Sequence, residues 1–133
     1  MTLEEMLGNG ELERVEPDKD AADLALVEAR RHVASARAIA ATDPNGAYQL
    51  AYDAARKAVV ADMRRVGVRV RRGEGAHALT ARYAGSAIDE ELGTRLDQMR
   101  RRRNRSEYGT VLIESNEVDE AITVAESLIR SAE

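Results

Sequence analysis

Apolar residues recur at steps of three and four along most of the chain, the spacing of helices with one buried face. The first such line runs Leu26, Ala29, Val33, Ala36, Ala40. Asp18 or Glu16, beside Pro17, opens that helix, and "TDPNG" (42–46) breaks it. Asp43 as cap and Pro44 in the first turn open the next helix, "GAYQLAYDAARKAVVADMRRVG" (46–67). It carries two stripes, one of Tyr48, Tyr52, Ala55, Val59, Met63 and Val66, the other of Ala47, Ala51, Ala54, Ala58 and Ala61. Two apolar faces predict a central helix with neighbours on both sides, and Gly67 is its stop signal.

Downstream, "VRVRRGEG" (68–75) alternates for a few residues, but its glycines and charge predict an exposed loop. "AHALTARYAG" (76–85) reads as a short helix. Ser86 with Asp89 reads as the cap of a fourth main segment over roughly 87–108, with a core line Leu92, Leu96, Met99 that continues into Arg103. Asn116 with Asp119 reads as the cap of the last helix, its stripe being Ala121, Val124, Ala125, Leu128 and Ile129. Residues 1–17 form an N-terminal arm or short helix, with Thr2 and Glu5 fitting a capping box and Gly8 ending the turn. The expected fold is all-α: an antiparallel up-and-down bundle of four main helices plus a short one, with residues 18–133 as a single domain.

Composition sharpens this picture. The 133 residues contain no cysteine, phenylalanine or tryptophan, and only two histidines, His32 and His77. Disulfides and thiolate metal sites are therefore excluded, and a His-rich metal centre is not expected. No cofactor motif is present, neither a P-loop nor a dinucleotide fingerprint. The chain has no uninterrupted apolar run of membrane length and no signal-type N-terminus, which predicts a cytoplasmic protein without membrane contact.

The net charge of −4 is unevenly spread. Residues 1–20 and 110–133 are each acidic, whereas the middle is basic. The basic charge concentrates in "RRVGVRVRR" (64–72) and "RRRRNRSEYG" (100–109), the second with five arginines in six positions. A basic centre between acidic ends suits an anionic partner or self-association. The plainer reading of Arg100–Arg105 is a solvated helix face with salt bridges between helices. Tyr48 and Tyr52 lie inside an amphipathic stripe and read as packing residues. Asp53 and Asp62 are expected to pair with Arg56, Lys57 and Arg65.

Three stretches taken in order carry a family likeness: "AYQLAYDAARKAVVADM", "GAHALTARY" and "RRNRSEY". The chain resembles the HEPN family, small helical domains of prokaryotic toxin–antitoxin and defence systems, over about residues 20–130. The resemblance places that family's nuclease motif at Arg103 and Asn104 and puts Tyr108 where a histidine is usual. In members with the full motif it implies metal-independent RNA cleavage in a cleft between two protomers. Arg103, Asn104 and Tyr108 are thus the candidate catalytic residues, and Arg100, Arg101, Arg102 and Arg105 the candidate RNA- or phosphate-binding residues.

A phenol with a pKa of about 10 is a poor base at neutral pH. The implied function is therefore an RNA-, nucleotide- or partner-binding module with a degenerate nuclease motif, cleaving feebly or not at all. The alternative is a ribonuclease toxin using Arg103 and Asn104 with another acid–base group. Glu107, one turn from Arg103, is expected to pair with it. His77 is expected to cap its helix or fill a core position, with reach into the site as the other reading. The implied partners are a second copy of the chain and a nucleotidyltransferase or other toxin–antitoxin component.

Overall fold

A computed structural model describes residues 2–107, 109 and 111–133. Helices α1 (Leu3–Gly8), α2 (Lys19–Ile39), α3 (Pro44–Val66), α4 (Ala76–Ala87), α5 (Glu90–Glu107) and α6 (Ser115–Ala132) are joined by two short strands, β1 (Leu12–Arg14) and β2 (Val68–Val70). The four long helices and the shorter α4 make the expected all-α bundle.

Helix α3 is its centre, touching α2, α4, α5 and α6. Its start and stop follow local chemistry. The Asp43 carboxylate accepts from the Gly46 amide at 3.0 Å, and Pro44 occupies the first turn, where a missing N–H costs nothing. Gly67 ends it at φ 92°, where a Cβ would lie 2.8 Å from the Val15 carbonyl oxygen. Both stripes are buried as far as Met63, the alanines letting neighbouring helices approach closely, while Val66 in the last turn is exposed. Asp18 caps α2 by accepting from the Ala21 amide at 3.0 Å, and Thr2 caps α1 by accepting from the Glu5 amide at 3.1 Å.

Four expectations are corrected. Residues 68–70 are not an exposed loop: they pair antiparallel with β1, Leu12 opposite Val70 and Arg14 opposite Val68, and Val68 is fully buried. Asp89, not Ser86, starts α5, accepting from the Leu92 amide at 2.9 Å, while Ser86 belongs to the last turn of α4. Glu114, not Asn116, stands at the start of α6, where Glu117 accepts from the Glu114 amide at 2.9 Å. Asp62 accepts from the Tyr83 hydroxyl at 2.6 Å instead of pairing with a neighbouring base, and Lys57 reaches across to Glu28 and His32 on α2 at 2.7 and 2.9 Å. For the strand pair, Asp62 and Lys57, a contact distant in sequence outweighs the local pattern.

The α4–α5 hairpin positions the arginine-rich end of α5. A Cβ on Gly93 would fall 2.4 Å from the Gly85 Cα and 3.0 Å from the Ala81 carbonyl oxygen. The two helices therefore meet backbone to backbone near the turn, and their seam leads to His77, Arg100 and Asn104 at its far end. Among the described residues, no helix is long and apolar enough to cross a membrane.

Candidate functional site

Successive residues on a helix turn by 100°, so the arginine run cannot present one face. Arg102 points towards α6. Its guanidinium donates to both Glu117 oxygens, at 2.8 and 3.2 Å. Desolvation pushes the Glu117 carboxyl up, but the bonds from Arg102 and the Glu114 amide outweigh it and hold it below its ordinary range. Arg102 and Arg105 border a groove between α5 and α6, with Tyr48, Met99 and Val124 among its other lining residues. Burial first, then Glu117, pushes the Tyr48 phenol up to about 12.

Arg100 and Arg103 point the other way, towards α3 and α4. Arg100 donates to Asp97 at 2.9 Å, and the exposed Arg101 shares that carboxylate at 3.1 Å. Arg103 continues the apolar line of Leu96 and Met99 and is held inside the fold, its side chain only 23% exposed. Its guanidinium carbon lies 5.8 Å from the centre of the Tyr52 ring, within range of a cation–π contact. Its polar contacts are long: 3.4 Å to Glu107 and 3.5 Å to the Asn104 side-chain oxygen. Its Nε is buried and has no hydrogen-bond partner.

Arg56, from α3, repeats this pattern. It is 3.8 Å from Asp53, too far for a hydrogen bond, and its Nε is also buried without one. Two buried guanidinium donors are thus left open beside the Tyr52 ring. Such groups are costly to bury unless something accepts from them.

His77 joins this cluster from the first turn of α4. Its ring centre is 6.0 Å from that of Tyr52, the planes tilted by 53°. With Arg100 and Asn104 it lines a cavity of about 300 Å³, edged by Gly73 and Gly75. His77 is exposed. Desolvation against the protein, then Arg56 and Arg103, lowers its pKa below the ordinary 6.5, so the imidazole is neutral at pH 7. Burial pushes the Tyr52 phenol up to about 12 although Arg56, Arg103 and Arg100 pull it down, so the platform stays uncharged.

Of the sequence candidates, Arg103, Asn104 and Arg100 come together here. Arg101 lies at the outer edge, and Arg102 and Arg105 border the other groove. Tyr108 lies outside the described residues. Glu107 pairs with Arg103 as expected. Arg56 is a component that the sequence assigned to local ion pairing alone; its place next to two stripe residues facing α5 was the available signal. His77 is neither a helix cap nor a core residue, since Gly75 stands at the cap position and the ring borders the cavity. No grouping of three or more His, Cys, Asp or Glu residues that could hold a metal ion occurs among the described residues.

An all-α bundle with an arginine–asparagine pair late in its fifth helix is the setting in which the family comparison falls. The family model for the HEPN domain matches residues 15–133, nearly the whole chain. The chain belongs to the HEPN family. Comparison with curated proteins and with solved structures gave no match.

Proposed function

We propose that this chain is an RNA-binding HEPN domain of toxin–antitoxin or defence type, whose phosphate-binding cleft centres on Arg103. The observation that carries the reading is the pair of buried, unpartnered Nε donors on Arg56 and Arg103, next to Arg100 and Asn104. A phosphodiester is a strong acceptor that matches a guanidinium fork, and its binding would offset the cost of those open donors. Four guanidiniums, those of Arg56, Arg100, Arg101 and Arg103, face three carboxylates, those of Asp53, Asp97 and Glu107, so the cluster keeps a positive excess. Tyr52 beneath them is a neutral aromatic surface.

The cleft works as part of a homodimer, since a half-buried arginine on an otherwise apolar line is better satisfied in a polar seam between copies. A nucleotidyltransferase or another toxin–antitoxin component is the partner class for such a module. Fluorescence anisotropy with labelled single-stranded RNA tests the cleft. Arg103→Ala is expected to weaken binding by about tenfold and to reduce the salt slope by about one. Unchanged affinity would overturn the reading. Light scattering is expected to give twice the chain mass of 14.6 kDa, and a monomer mass at micromolar concentration would overturn the dimer.

A further inference from the structure

We infer that Glu28 and His32 form a binding site for a divalent transition-metal ion of the zinc type, and that Lys57 guards it. The site lies between α2 and α3 and shares no residue with the cleft around Arg103.

Three observations carry it. Glu28 and His32 are four residues apart on α2, so their side chains stand one above the other on a single face. Both are turned to the same point: the Lys57 ammonium, reaching over from α3, lies 2.7 Å from Glu28 Oε2 and 2.9 Å from His32 Nε2. The donor atoms of a carboxylate–imidazole chelate thus already converge on a cation. The point is also reachable from solvent, since the side chains of Lys57 and Glu28 are 24% and 43% exposed.

The protonation states suit a metal ion. An ammonium has no lone pair, so His32 accepts through Nε2. Its proton then sits on Nδ1, and Nε2 keeps the lone pair that a metal uses. The bond from Lys57 holds the Glu28 carboxyl below its ordinary range, which leaves it an anion at neutral pH. Zinc sits at about 2.0–2.2 Å from such donors, closer than the ammonium does, so the two side chains draw together once the lysine leaves. The flexible four-carbon stem of Lys57 lets its head swing out to water. A nitrogen–oxygen pair favours zinc over magnesium or calcium, which take oxygen donors. With two protein donors, water fills the remaining positions, and the ion is exchangeable instead of structural. Arg31, whose charge also acts on Glu28, opposes the ion and keeps its affinity modest.

The test is calorimetric titration of the full chain with zinc chloride at neutral pH. Wild type is compared with His32→Gln, Lys57→Met and, as a control, His77→Gln, each checked for helical content by circular dichroism. Wild type is expected to take up zinc in a single saturable step, and no magnesium. His32→Gln should weaken uptake by at least about tenfold, since even an outer-sphere partner costs that much when lost. Lys57→Met should tighten it by about tenfold, the scale of the charge-assisted hydrogen bonds that the ion no longer has to displace. His77→Gln should leave it unchanged. Should Lys57→Met fail to fold, Lys57→Gln takes its place. No uptake by folded wild type at millimolar zinc would overturn the inference. So would uptake that survives His32→Gln, uptake that is lost in His77→Gln, or an affinity that does not rise when the Lys57 ammonium is removed.

Discussion

Arg102 and Arg103 are adjacent and chemically identical, yet their surroundings are opposite. Arg102 has a bidentate carboxylate partner and joins α5 to α6. Arg103 has only long contacts and an open buried donor, and its guanidinium lies over the Tyr52 ring. The difference arises from a 100° rotation and from what the neighbouring helix offers: Glu117 on one side, a tyrosine ring and two more guanidiniums on the other. A run of like residues therefore has to be read position by position, through the helix that carries it.

The strongest way to break the contrast is at the seam. Gly93→Ala places a methyl group into the Gly85 backbone, and rearrangement of α4 against α5 should cost on the order of 3 kcal/mol in urea unfolding. RNA binding should be lost with it, because His77 and Arg100 no longer meet, whereas the Arg102–Glu117 pair should survive in any folded remainder. A midpoint equal to wild type would show that the hairpin can open without consequence. Next in size is Arg103→Ala, for which stability should hold or rise while RNA affinity falls about tenfold. A stability loss larger than the binding loss would make Arg103 a packing residue.

Arg102→Ala should show the reverse, about 1 kcal/mol of stability and under twofold in affinity. Its pH signature carries a sign. The Glu117 carboxyl is held below its ordinary 4.5, so its stabilising contribution is present above that value and is lost as pH falls through the lowered pKa. Removing Arg102 should flatten this acid limb in urea titrations between pH 5 and pH 3. An unchanged limb would assign the effect to the Glu114 amide alone.

Much of the scaffold was legible because it is local. Asp43 with Pro44, Gly67, and the stripes of α3 and α6 each state their role within a few residues. Two helix starts were misplaced because Ser86 with Asp89 and Asn116 with Asp119 both satisfy the spacing of a cap. In the structure Asp89 and Glu114 stand at those starts. The β1–β2 ladder escaped because its three-residue strands lie 56 positions apart at Glu13 and Arg69, and an alternation of three residues is too short to separate from the charged, glycine-rich stretch that follows it. The site was half legible. Arg103 signalled itself by interrupting an apolar line. Arg56 and His77 could not, because what gathers them is a tyrosine ring that reads as ordinary core.

That ring has a consequence for how the protein would respond to acid. Burial pushes the Tyr52 phenol up to about 12, so it stays uncharged near neutrality, and His77 is the cleft residue whose ordinary range lies nearest neutrality. Acidification therefore adds one positive charge to a cavity edge that already carries Arg100. On the proposed reading of an RNA-binding cleft, affinity should rise as the medium becomes acidic and fall again as neutrality returns.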